Sequence, residues 1–239
     1  MRRLNDADVV REEYADESNF AVRAAAQQAS TGPDPKQIAF DAVAEIAPRR
    51  VLEVGPGRGE VAERIARELG AEVTAVDQSE RMVELTRARG VEALVGDVQS
   101  LPFQAESFDC AVAAWMLYHV SDLDRGLAEL ARVLVPGGRL VAVTNSGRNL
   151  PELWSRIGLS ARRTRTFSAE NGGDILARHF ARVERRDVGG TVTFPDWEAA
   201  RRYVAASIIG AHLVDELAPF DGPLVCTRLV AVFVAETAL

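Results

Sequence analysis

From residue 50 to residue 145 the chain alternates short apolar runs with segments of helical periodicity. "RVLEV", "AEVTAVD", "VEALVGD", "FDCAVAAWML" and "GRLVAVTN" read as strands, and "RGEVAERIARELG", "SERMVELTRARG" and "DLDRGLAELARVL" read as helices. The strands are almost continuously apolar, so both of their faces must be covered. Parallel strands joined by helical crossovers meet that demand. The pattern predicts an α/β fold with a doubly wound, mostly parallel sheet, whose ligand crevice lies beyond the carboxyl ends of the strands.

The flanking segments do not share this rhythm. "ADESNFAVRAAAQQAS" and "PKQIAFDAVAEIA" read as helices, the second opened by Pro35. After Asn145 comes an irregular, arginine-rich stretch. "DILARHF" then reads as a helix, "ARVERRDVGGTVTF" as a strand or bent hairpin, and "PDWEAARRYVAASIIGA" as a helix. "LVCTRLVAVFVAE" reads as a closing strand. We therefore expect one domain over 1–239. Its parts are an N-terminal helical lid (1–49), a ligand-binding core (50–145), a cap region with a late strand (146–223) and a closing strand (224–239).

The turn after the first core strand, "VLEVGPGRGEVA", holds Gly55, Gly57 and Gly59 in a GxGxG spacing. A dinucleotide fingerprint needs its third glycine at position 60, which is Glu60. A carboxylate there suits the helix dipole but repels a pyrophosphate docked on the same helix end. Glu53, just before the glycines, suits a cationic group such as an ammonium. Asp77 ends the next strand and can accept from both hydroxyls of a ribose. Asp97 ends the one after and can accept from an adenine amine, with Met82 placed to pack on the adenine face.

Taken in order, "LEVGPGRG", "VTAVDQSERMV", "VGDVQSLPFQAESFD", "FDCAVAAWMLYHV" and "ELARVLVPGGRLVAVTN" resemble the five motifs of the class I S-adenosylmethionine-dependent methyltransferases. "YADESNFAVRAAAQQ", "MLYHV" and "ENGGDILARHFARV" resemble a small-molecule, actinomycete-like branch of that family, although "AAAQQAS" replaces the histidine and aromatics often seen after the "SNxxxR" pattern. The resemblance implies a Rossmann-like sheet of seven strands with the last antiparallel, an N-terminal helix folded over the cofactor, and S-adenosylmethionine as that cofactor. It implies cofactor contacts at Gly55, Gly57, Asp77, Met82, Asp97, Val98, Ala114 and Trp115. Pro56 in the loop, Gln78 beside Asp77, and Glu53 complete the core part of the set. Tyr14 and Arg23 have two readings: a cofactor-packing tyrosine with an arginine paired to the methionine carboxylate, or a helix-packing tyrosine with a surface arginine.

His119 follows the fourth core strand. It reads either as a general base near the reacting methyl or as a structural residue at the strand end. His179 and His212 read as packing or surface residues. Trp115, Tyr118 and Trp154 read as an aromatic wall or as core, and "ARRTRTF" (161–167) as an anion-binding patch or a solvated loop. Trp154 and Phe167 are the first candidates for acceptor contact. Cys110 and Cys226 sit in apolar runs and read as buried thiols. No His/Cys cluster suggests a metal.

A net charge of −7 argues against nucleic acid and anionic membrane as partners. The N-terminus shows no signal-like apolar run, and no segment approaches a membrane span, so a cytoplasmic protein is expected. The leading expectation is methyl transfer to an O, N or C atom of a small molecule, secondary metabolites included, with homodimerisation left open. The rivals are an RNA or protein methyltransferase, a non-catalytic cofactor-binding protein, and an NAD-dependent oxidoreductase, which the GxGxG spacing and Glu60 oppose.

Overall fold

A computed structural model describes residues 5–6, 9–10, 13–14, 18–28, 30–159 and 166–239. Among the described residues eight strands form one sheet: β1 (Ser30–Thr31), β2 (Arg50–Val54), β3 (Glu72–Asp77), β4 (Glu92–Val95), β5 (Phe108–Ala114), β6 (Leu134–Asn145), β7 (Arg182–Phe194) and β8 (Leu224–Glu236). Their spatial order is β1-β7-β8-β6-β5-β2-β3-β4. The pairs β2/β3, β3/β4, β2/β5 and β5/β6 are parallel. β8 runs antiparallel to both β6 and β7. The seven long strands and the reversed last one match the expected sheet. The eighth, β1, is a two-residue edge paired antiparallel with β7. It is too short to leave a periodic signal in the sequence.

The helices are α1 (Ser18–Gln28), α2 (Pro35–Ala44), α3 (Glu60–Leu69), α4 (Glu80–Arg87), α5 (Leu123–Val133), α6 (Pro151–Ser155), α7 (Gly172–Leu176) and α8 (Trp197–Ala205). Their starts are set locally. Asp34, Ser79, Asp122 and Asp196 each accept a backbone N–H of the first turn. Gly70, at a φ of 67°, closes α3 in the left-handed conformation that glycine permits.

One face of the sheet is covered by Phe40 and Val43 of α2, Ile65 of α3 and Val83 of α4. Leu127 and Leu130 of α5 and Leu176 of α7 cover the other. Burial on both sides accounts for the unbroken apolar strands. Cys110 and Cys226 are buried free thiols. Burial pushes both up to about 12, so neither forms a thiolate at neutral pH.

Of the two readings of "ARVERRDVGGTVTF", the structure has the strand and not the hairpin, because β8 pairs with it residue by residue from Arg182 to Phe194. Other detail after Asn145 differs from the sequence reading. "DILARHF" contributes only Asp174–Leu176 to the short helix α7. Phe167 is fully buried against Phe233, 5.8 Å between ring centroids, and so belongs to the core and not to an acceptor wall. The basic patch lies outside the described residues except for Thr166 and Phe167.

Strand order reverses between β2 and β5: β3 and β4 extend the sheet to one side of β2, and β6 extends it from β5 to the other. The turns after β2 and β5 therefore flank the crevice, and helix α1 crosses it.

Candidate active site

Gly55, Gly57 and Gly59 have φ values of 65°, 58° and 74°. These are left-handed conformations that side-chain-bearing residues reach only at a cost. The loop is also closely packed. A Cβ on Gly55 would lie 2.7 Å from Cβ of Met116, and one on Gly57 would lie 3.0 Å from Cζ of Phe20. The glycines let the backbone of the turn approach both the β5 turn and helix α1. Gly55→Ala is expected to cost roughly 1–3 kcal/mol through φ strain and the Met116 clash, lowering Tm by several degrees in calorimetry.

Inside this frame lies a cavity of about 210 Å³. Its wall includes Tyr14, Arg23, Glu53, Gly55, Pro56, Gly57, Asp77, Gln78, Val98, Ala114, Trp115 and His119. Two residues expected from the sequence stand off it. Met82 is fully buried beneath the wall, in the packing of α4. Asp97 turns its carboxylate onto the backbone N–H and side-chain amide of Gln99, at 2.9–3.0 Å, closing a local turn. Its neighbours Gly96 and Val98 face the cavity instead. The sequence reading missed Phe20, Lys36, Met116, Asn145 and Tyr203, which also line it. Only Asn145, the last residue of an apolar strand, carried a usable positional signal.

Charge in the cavity is unevenly satisfied. Glu53 is 1% exposed, and its Oε2 has no hydrogen-bond partner among the described residues. Burial pushes its carboxyl up to about 8, against a backbone hydrogen bond from Ala62 and the nearby Lys36 charge. Asp77 is raised to about 6 by burial, opposed by backbone N–H bonds from Ser79, Gly57 and Gln78. Arg23 gives Nη1 to Glu13 and to the Ala206 carbonyl, while its buried Nη2 has no partner among the described residues. Glu60 is paired with Lys36 at 2.9 Å and lies 3.9 Å from Arg89. The repulsion that Glu60 would exert on a pyrophosphate is thus partly neutralised by Lys36.

On the β5 side Trp115 has φ 55°, uncommon for a bulky residue. Its N–H donates to the Val143 carbonyl at 2.8 Å and its indole Nε1–H to Asn145 Oδ1 at 3.2 Å, which hold it there. His119 ends the short helical turn after β5. Its Nε2 is 3.1 Å from the Tyr14 hydroxyl, and the Tyr118 ring packs edge-on at 4.5 Å. Tyr14 is held by Ser79, whose Oγ donates to the Tyr14 carbonyl at 2.8 Å. Burial raises the Tyr14 phenol above its ordinary range, so it stays neutral. His179, by contrast, pairs with Asp124 at 3.0 Å, far from this wall.

Comparison with known proteins decides the family. A family model described as a methyltransferase domain matches residues 52–142. A malonyl-[acyl-carrier protein] O-methyltransferase of Chlorobium luteolum is 30% identical over 88% of this chain and 82% of its own length. The chain belongs to the class I S-adenosylmethionine-dependent methyltransferases. A demethylmenaquinone methyltransferase of Thermus thermophilus is 38% identical over 44% of the chain and 51% of the relative, so that match spans about half of either protein. Among solved structures, a Haemonchus contortus phosphoethanolamine N-methyltransferase superposes with a TM-score of 0.64 at 18% identity, covering 100% of this chain and 61% of that one. A Thermotoga maritima S-adenosylmethionine-dependent methyltransferase gives 0.60 at 22% identity over 95% and 99%. At these identities the structural likeness concerns the fold alone.

The cavity residues of this methyltransferase fit S-adenosylmethionine. The unpartnered Glu53 oxygen suits its ammonium, and the unpartnered Arg23 nitrogen suits its carboxylate. Asp77 can take the ribose hydroxyls. Among the described residues no helix is long and apolar enough to cross a membrane, and no group of His, Cys, Asp and Glu could hold a metal.

Proposed function

We propose that the chain transfers a methyl group to a small-molecule acceptor enclosed beneath α1 and α8, with His119 as the proton acceptor. The reading rests on the continuity of the cavities past the Tyr14–His119 pair. A side cavity of about 80 Å³ is lined by Tyr14, Tyr118, His119, Asn149, Trp154 and Tyr203, among others, and shares several of these with the cofactor cavity. Cavities on this scale suit a small molecule.

S-adenosylmethionine, when bound, supplies a methyl already activated by its sulfonium. The protein's work is therefore placement, exclusion of water and removal of the acceptor's proton. Glu53 and Arg23 fix the amino-acid end, Asp77 fixes the ribose, and the Trp115 turn sets the wall against which the acceptor lies. The His119 imidazole takes the proton, and the Tyr14 hydroxyl at its Nε2 orients the ring. Because Tyr14 and Arg23 come from the N-terminal segment, the lid both covers the site and completes it.

The test begins with calorimetry. S-adenosylhomocysteine should bind and raise Tm, by roughly 2.7 kcal/mol of linkage at 100 times its Kd, whereas NAD should do neither. Binding of NAD alone overturns the reading.

Asp77 adds a pH signature. The unliganded fold favours its acid form, so the stability that this form gives is full below 3.8 and fades as pH rises through about 6. Ribose hydroxyls donate to the ionised form. S-adenosylhomocysteine affinity, which already falls as Glu53 protonates below about pH 8, should therefore fall more steeply below 6, by up to about a further tenfold per pH unit. Asp77→Asn should bind more weakly, by about 1.5–3 kcal/mol at pH 8, and lose that second, steeper fall. An unchanged profile in the variant would remove Asp77 from the ribose site.

A further inference from the structure

A second cavity, about 300 Å³, adjoins the first and shares Ala24, Lys36, Trp115, Asn145 and Tyr203 with it. Asn145, Asn149 and Tyr203 also join it to the side cavity at His119. Most of its remaining wall is apolar, from Ala26, Leu150, Val192 and Val230. One side chain is out of keeping with that wall. Arg228, on the central antiparallel strand β8, is 5% exposed.

Half-buried arginines elsewhere in this fold have a carboxylate. Arg139 pairs with Glu45 and Glu236, and Arg23 pairs with Glu13. Arg228 has no carboxylate within ion-pair distance among the described residues. Its partners are neutral oxygens: Ser30 Oγ at 2.7 Å, the Pro33 carbonyl at 2.6 Å and the Gly189 carbonyl at 3.4 Å. Three acceptors cannot use five N–H donors, and Nε is buried without a partner. Of the other charges on the wall, Lys36 pairs with Glu60, and Asp34, whose Oδ1 accepts the Lys36 backbone N–H as a helix cap, acts on Arg228 by charge but makes no ion pair with it. Gly190 leaves room for both the β1 edge and the guanidinium: a Cβ there would lie 2.1 Å from the Thr31 carbonyl oxygen and 2.8 Å from Arg228 Nη2.

A buried cation with no carboxylate in direct contact is costly unless an anion completes it. We propose that the second cavity is an acceptor subsite whose Arg228 pairs with a carboxylate carried by the substrate. The acceptor's apolar body then lies along Leu150, Val192 and Tyr203, between the carboxylate and the end that reaches His119. This subsite rests on the methyltransferase reading for its role but not for its measurement.

The probe is 4-fluorobenzoate, compared with neutral 4-fluorobenzamide, titrated into the full chain by ¹⁹F NMR with and without S-adenosylhomocysteine. We expect the benzoate to bind at least tenfold more tightly than the amide. Arg228→Met should erase the preference, Arg228→Lys should keep part of it, and S-adenosylhomocysteine affinity should hold in both. Equal binding of the two probes, no benzoate binding, or a preference that survives Arg228→Met overturns the subsite. Because Arg228 also ties down the turn before α2, a second variant leaves it in place: Ala26→Phe fills the cavity and should weaken benzoate at least tenfold. Undiminished benzoate binding in that variant overturns the proposal too. If the cofactor product fails to bind while benzoate still shows its Arg228-dependent preference, it is the methyltransferase reading that falls.

Discussion

His119→Ala is expected to slow methyl transfer by about 10²–10⁴-fold, the usual range for a lost general base, with S-adenosylhomocysteine affinity unchanged. The geometry behind this is specific. His119 sits on the shared wall of the cofactor cavity and the side cavity, its ring fixed edge-on by Tyr14 and Tyr118. An oxygen or nitrogen acceptor must shed its proton as the methyl arrives, and the His119 imidazole stands at that junction. Tyr14, kept neutral by burial, orients the ring without competing as a base. Tyr14→Phe should therefore cost less than His119→Ala. Single-turnover rates under saturating cofactor separate this from a binding defect. A loss below about threefold in His119→Ala would leave positioning as the whole of the catalysis and return His119 to a structural role.

How far such roles are legible in the sequence depends on whether a residue's partners are close by in the chain. The core strands and helices were readable because their apolar periods are local and their caps lie within a few residues, as with Ser79 and Gly70. Gly55, Gly57 and Asp77 were readable because strand ends and glycine turns fix their positions in any doubly wound sheet. Asp97 is less legible, because a strand-end acid can turn back on its own loop, as this one does onto the amide two residues on, Gln99. Met82 is less legible too, because helix α4 buries it below the cavity wall. Phe20, Lys36 and Tyr203 reach the cavity only through tertiary crossings from the lid and from α8, and no local pattern announces those. Phe167 was an aromatic beside an arginine run, a pattern equally compatible with surface and core; packing on Phe233, some 66 residues later in the chain, assigned it to the core.

Glu53→Gln should produce opposite changes in stability and in cofactor binding. In the unliganded protein the Glu53 carboxyl is buried and half-satisfied, and its acid form is favoured up to about pH 8 against an ordinary 4.5. A raised carboxyl contributes stability that is full below its unfolded value and is lost as pH rises through the folded one. The native chain should therefore lose stability between pH 5 and pH 9 at this position. An amide, which never ionises, should not. At pH 9 the variant should be more stable than the native chain, by about 1–3 kcal/mol after relaxation and water entry are allowed for, and the two should melt together near pH 5. With S-adenosylhomocysteine the order should reverse. The ligand's ammonium needs the ionised Oε2, and an amide oxygen replaces a charge-assisted hydrogen bond with a neutral one, weakening affinity by about 1.5–3 kcal/mol, or at least tenfold. Thermal melts across that pH range, each with and without ligand, read both effects in one series. A variant that is less stable at pH 9 and binds with native affinity would show that Glu53 supports the loop and does not hold the cofactor. The predicted crossing would instead identify a carboxylate kept at a cost to the empty fold because the bound ligand completes it.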